Sequence, residues 1–403
     1  MLADVNPFAS GCEKAFFRVK IGTVKFGLKK LSRSRKWFAG VALLLVLLAV
    51  SGCQTLSFYT QAVRGQYQLF AHQQPMQKVI GDPQTPARLK DQLELIERLR
   101  AFARDELKLP VDGHYRKYVD VNRPYVVWNV EAAPEFSLEP KSWWYPLVGS
   151  QEYRGYFSEK RARDYAAHLR TQGYDAYTGG VSAYSTLGWF KDPILNTFVF
   201  DREPDLAETI FHELGHQEVF ARGDTDFNEA FATTVGQEGA RRWLRAKGDT
   251  ATAEKYEAQL HRTVQFVHLV MGARERLEGL YGDERTETGI VQATNKKQSV
   301  SREDLRREKK QILDDLQNDY AKLKAQWGGE TEYDNWFAKG VNNAKLNSVA
   351  AYYDFVPGFE RLLAINGGDL QKFYHAASEL AKLPRKERHS WLKNPEGTVF
   401  QAN

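Results

Sequence analysis

Apolar residues recur every three or four positions through most of this 403-residue chain and alternate only in short runs. That spacing predicts an α+β protein that is mostly helical. Residues 56–71 read as a helix, and 86–107 as a second one with Leu89, Leu93, Ile96, Leu99 and Ala103 on one face. The β-branched and aromatic run 125–130 predicts a strand, and 159–172 an amphipathic helix that Gly173 stops. Gly179-Gly180 opens a stretch through Thr186 that reads as an edge strand able to pair with an extended substrate. Thr197 to Phe200 reads as another short strand.

The next helix has a marked start. Asp205 is the expected N-cap and Glu208, three residues on, completes a capping box. Leu206, Ile210, Leu214 and Phe220 give it a core face, and Gly223-Asp224-Thr225 breaks it before a helix over about 226–246. Further helices are expected over 252–280, 301–326, 349–366 (interrupted at Pro357) and 369–383. The charges of 301–326 suit a solvated face. The polar stretch 284–300 reads as a mobile loop, and the tail from Pro384 as loose.

The chemistry sits on the capped helix, in His212-Glu213-Leu214-Gly215-His216. Histidines four apart on a helix project from one face, so both imidazoles can reach one metal ion. The glutamate between them can act on a water at that metal, taking its proton as general base and passing it to a leaving amine. Catalytic zinc takes three protein ligands and keeps a position open, so a third donor is needed. The following helix offers a carboxylate in Phe227-Asn228-Glu229-Ala230-Phe231-Ala232. Tyr352, Tyr353 and Tyr184 are candidate donors to a developing oxyanion. His261 and His268 read as ordinary helix residues, and His72, His114, His168, His375 and His389 are isolated.

Charge changes meaning once the N-terminus is set apart. The first 52 residues carry nine Lys/Arg against Asp4 and Glu13; removing them from totals of 56 basic and 51 acidic residues leaves 47 against 49. The remainder gives no electrostatic reason to bind nucleic acid. Lys29 to Lys36 and the apolar run 37–50 form the n- and h-regions of a secretory signal, too short to span a bilayer. Cys12 and Cys53 are the only cysteines, so the exported part can hold no internal disulfide.

Val50-Ser51-Gly52-Cys53 resembles a bacterial lipobox. The resemblance implies cleavage before Cys53, lipidation of its thiol and a membrane tether facing the periplasm, with Gln54 favouring the outer membrane. An N-E-x-x-A segment downstream of H-E-x-x-H resembles the gluzincin metallopeptidases. Carried over to this chain, His212, His216 and Glu229 are the zinc ligands and Glu213 the general base, with Glu238 the reserve ligand. Together with Ala183 to Phe190, the block is similar to the bacterial putative aminopeptidase family of zincin fold.

That resemblance implies a zinc-dependent peptidase of the cell envelope acting on peptide substrates. It implies a small sheet beside the active-site helix and a helical C-terminal half. The expected divisions are 1–52 (extension and signal peptide), 53–120 (helical), 121–250 (catalytic core) and 251–403 (helical). Three features depart from gluzincin practice. Only 12 residues separate His216 from Glu229; Thr233 stands where relatives place an acid; and with methionine only at 1, 76 and 271 no G-x-M-E-N segment exists to bind a substrate amine. The alternative is a non-catalytic metal-binding lipoprotein serving as a scaffold or chaperone. A hydrolase of cell-wall or other amide bonds also fits the motif.

Overall fold

Helices prevail where the three-to-four spacing runs longest, because each apolar stripe finds a facing stripe to bury against. The computed structural model describes residues 57–145, 149–183, 191–282 and 301–394. The signal-like segment, Cys53, Tyr184, the 284–300 stretch and the last residues from 395 lie outside them. From Phe58 onward the described residues belong to one compact unit. Among them, no helix is long and apolar enough to cross a membrane.

The N-terminal half mixes both element types. Helix α1 (57–71) leads to β1 (Gln74–Pro75), α2 (Met76–Gly81), α3 (Ala87–Asp105) and β2 (Lys117–Val119). Strands β3 (Val127–Pro134), β4 (Trp143–Tyr145), β5 (Gly149–Gln151) and β6 (Arg154–Tyr156) precede α4 (Glu159–Thr171). Then come β7 (Tyr174–Val181), β8 (Ile194–Leu195), α5 (Glu203–Glu218) and α6 (Thr225–Lys247). The rest is helical: α7 (Thr250–Tyr281), α8 (Arg302–Gln326), α9 (Asp334–Ala338), α10 (Asn343–Tyr353), α11 (Val356–Ile365), α12 (Leu370–Lys382) and α13 (Arg385–Lys393). The protein is thus α+β and mostly helical.

The sheet that matters has the order β6-β3-β7, antiparallel throughout, with Val127 opposite Val181 and Pro134 opposite Tyr174. Alternation splits β3 into two faces. Trp128, Val130 and Ala132 enter a cluster with Ala162, Ala166 and Leu169 of α4. Val127, Asn129 and Glu131 therefore point the other way, to cavities that α5 and α6 also line. The main core joins α3, α5, α6, α11 and α12, and a separate cluster holds α7, α8 and α10 together.

Three expectations need correction. Residues 197–200 form a turn, with Val199 N–H bonded to the Leu195 carbonyl at 3.1 Å; Phe198 and Val199 are apolar because they are buried, not because they pair. Helix α5 starts at Glu203 with Pro204 in its first turn, a position that needs no N–H. Asp205 lies inside that helix and pairs with Arg202 at 2.7 Å, while Glu208 accepts from the Tyr256 hydroxyl at 2.6 Å, so no capping box forms. The interruption expected at Pro357 is present: the helical stretch breaks into α10 and α11, with Pro357 in the first turn of the second. The tail is not loose through Lys393: α13 buries Arg388, Trp391 and Leu392.

Candidate metal centre

Helices α5 and α6 are joined by a short turn and packed antiparallel, and Gly236 shows how closely. A Cβ there would lie 2.8 Å from the Glu208 carbonyl oxygen and 3.1 Å from the His212 Cβ. Gly223 makes the turn, at φ +76°. Asn228 closes it: its Oδ1 accepts from Ala221 N–H at 2.7 Å and its Nδ2 donates to the Ala221 carbonyl at 2.9 Å. That amide pair sits beside Glu229 and sets the angle at which α6 begins. The asparagine of the N-E pair is therefore structural.

Asp224 caps α6, accepting from Phe227 N–H at 3.4 Å. It is wholly buried and also accepts from Arg388 Nε at 2.6 Å, with His389 Nε2 at 2.8 Å. His389, isolated in the sequence, is half of a clamp that α13 places on the start of α6. Asp224, Asp226 and His389 have donor atoms near one another, but Arg385 and Arg388 already neutralise that group.

The packing brings His212, His216 and Glu229 together. The two imidazole Nε2 atoms are 3.1 Å apart, and each lies 3.4 Å from Glu229 Oε2. A tetrahedron of ~2.0–2.1 Å zinc bonds has edges of ~3.3 Å, so this donor triangle fits one zinc ion with a corner left over. Charge agrees with spacing. Burial drives His212 below its ordinary value, which keeps a lone pair free. Burial acts the same way on His216, but the Glu229 carboxylate outweighs it and lifts that imidazole. Burial opposes ionisation of Glu229, yet the neighbouring histidines win and hold it far below the usual carboxylate range.

Glu213 is buried, and its Oε2 has no hydrogen-bond partner among the described residues. Burial pushes its carboxyl up to about 8. His216 Nδ1 is likewise without a partner among the described residues. Glu238, the reserve donor, is turned away to Arg242 at 2.8 Å. His261 and His268 are exposed on α7.

Two cavities meet at the triad. The larger holds about 700 Å³ and reaches His212, Glu213, His216 and Glu229. The smaller, about 30 Å³, lies behind Glu229 and is lined by Glu131, Glu152 and Asn347 among others. Asn129, Tyr153, Thr225, Glu229 and Tyr352 border both. Burial, with Glu152 and Glu229 nearby, pushes Glu131 up to about 8. Glu131 and Tyr153 were not apparent in the sequence; the only signal was the place of Glu131 on an alternating strand, and Tyr153 lies in the link between β5 and β6.

Of the two candidate tyrosines among the described residues, Tyr352 reaches the site. Its ring stacks on His212 with centroids 6.1 Å apart. The charge of Glu229 holds its phenol well above the usual range, so it stays a hydrogen-bond donor. Tyr353 packs against the cores instead. Gly179 and Gly180 lie in β7 and do not line the large cavity, whereas Val181 and Ala183 do.

No curated protein and no solved structure matches this chain. The family model described as "Putative aminopeptidase" matches residues 57–392, which include every residue of the site. With that span well over half its length, the chain belongs to this aminopeptidase family.

Proposed function

We propose that this protein is a zinc-dependent aminopeptidase of the cell envelope, tethered through a lipidated Cys53. The observation that carries the reading is the donor triangle of His212, His216 and Glu229, with sides of 3.1, 3.4 and 3.4 Å. Zinc, when bound, supplies a Lewis acid that polarises the scissile carbonyl and makes water acidic. Glu213 supplies the base: a divalent cation at the triad would favour the ionised carboxylate that burial resists, and its buried oxygen then accepts the proton of the attacking water and returns it to the leaving amine. Tyr352 and Tyr153 border the same space as protonated phenols, able to donate to the oxyanion.

The small pouch supports action at a free N-terminus. Its volume of about 30 Å³ suits a group the size of an ammonium. Glu131 would receive that ammonium, and the incoming positive charge favours the ionised carboxylate that burial resists. No G-x-M-E-N segment is needed if β3 delivers the acid.

The test is the metal content of the purified protein beside its action on short peptides. One zinc per chain is expected, with hydrolysis falling on the order of 10²–10⁴-fold in Glu213→Gln at unchanged zinc content. Zinc retained with no cleavage of any peptide points to the scaffold alternative. No stoichiometric metal sinks both.

A further inference from the structure

The large cavity in front of the triad has the chemistry of an apolar side-chain pocket. Its volume of about 700 Å³ falls within the ~300–1,000 Å³ typical of small-ligand sites. Phe58, Phe70, Tyr145, Phe157, Val181 and Phe220 form much of its wall. Among the described residues no lysine or arginine lines it, and Glu213 and Glu229 are its only carboxylates. A charged side chain entering here would shed water and find no charged partner on the walls besides the groups of the triad and Glu213. An aromatic or branched aliphatic one would gain the full benefit of burial.

One wall is contributed by α1, whose Phe58, Ala62, Gln66 and Phe70 recur at steps of four and so share a face. The helix is pinned in place. Gln61 donates through Nε2 to the Gly155 carbonyl at 3.4 Å and accepts through Oε1 from Phe157 N–H at 2.9 Å. Its amide thereby spans the backbone at the end of β6. Gly65 lies against the Phe157 ring with no room for a methyl group. At the mouth, Val63 and Tyr67 stand 70% and 69% exposed, an apolar lip one helical turn long.

We infer that this chamber selects peptides with a bulky apolar side chain, aromatic or branched aliphatic, beside the scissile bond, and that α1 sets the preference. The inference rests on the peptidase reading above and names its substrate class. The experiment is a matrix of dipeptide amides varied at both positions, offered to the zinc-loaded protein. Phe, Trp or Leu at one position is expected to give kcat/KM at least tenfold above Asp, Lys or Gly there. Ala62→Trp, which fills the chamber from α1, should lower the Phe-over-Ala ratio at least tenfold. Phe70→Ala, which removes part of the wall, should lower the same ratio by the opposite route. A flat matrix, a preference for charged residues, or an unchanged ratio in both variants overturns the inference.

Zinc-loaded Glu213→Gln, titrated calorimetrically with the same dipeptide amides, separates the two failures. Selective binding of apolar dipeptides without turnover by the native protein keeps the pocket and removes the peptidase. Equal binding of apolar and charged dipeptides removes the pocket, whatever the turnover.

Discussion

Asp224 tests whether the C-terminal helix holds the candidate metal centre in shape. Its carboxylate is fully buried, caps α6, and meets Arg388 at 2.6 Å and His389 at 2.8 Å. Asparagine caps a helix as well as aspartate, so Asp224→Asn removes the charge and keeps the cap. What it leaves is the Arg388 guanidinium, 7% exposed, without its counter-charge. Breaking a buried pair in this way costs about 3–5 kcal/mol. Arg388 also donates to the carbonyls of Ala381 at 3.0 Å and Leu383 at 2.8 Å, which continue to solvate it and favour the lower end of that range. We expect a loss of about 3 kcal/mol for Asp224→Asn, and about 1 kcal/mol more for Asp224→Ala, where the cap goes too.

The assay is urea unfolding followed by tryptophan fluorescence, repeated across pH. Burial opposes ionisation of Asp224, but His389 and Arg388 outweigh it and lower its value below 3.8. A depressed carboxylate contributes stability in full above its unfolded value near ~3.9 and loses it as the pH falls through the folded one. The gap between native protein and Asp224→Asn should therefore be widest at neutral pH and close on acidification below about 4. Asp224→Asn within about 0.5 kcal/mol of the native protein at neutral pH, the ordinary range of a surface change, would refute the clamp.

Three further outcomes are expected. Glu229→Ala removes one corner of the donor triangle and should weaken zinc binding by more than the ~10–100-fold of an outer-shell change, read by competition with a chromophoric chelator. Gly236→Ala places a methyl 2.8 Å from the Glu208 carbonyl oxygen and 3.1 Å from the His212 Cβ, forcing α5 and α6 apart; about 1–3 kcal/mol of stability and part of the zinc affinity should be lost together. Glu131→Gln should raise KM for peptides with a free amine and leave N-acetylated peptides, which carry no charge there, as they were. Equal effects on both would remove Glu131 from amine recognition.

What could be read from the sequence was what depends on short range. Helical spacing places His212 and His216 on one face whatever surrounds them, and the Gly223 turn returns Glu229 within 13 residues of His216. Helix ends were less legible, since Asp205 and Glu208 carry a capping signature that tertiary partners override: Arg202 takes one and Tyr256 the other. In α13 a signal was present in Arg388, Trp391 and Leu392 at helical spacing, obscured by the charged residues around it. The Asp224–Arg388 pair, 164 residues apart, left no local trace.

Strand β3 makes the same point about the site itself. Its alternation announces two faces, but not which one meets the metal helices. Only the packing of α4 against Trp128, Val130 and Ala132 decides that, by claiming the apolar side for a core. Asn129 and Glu131 are then left facing the cavity beside Glu229, and a polar face that would otherwise pass for solvent-exposed becomes part of its wall. Two histidines and a glutamate suffice to hold a cation. The residues proposed to choose its substrate, Glu131 on one side and the face of α1 on the other, take their meaning from which surfaces the hydrophobic cores leave uncovered.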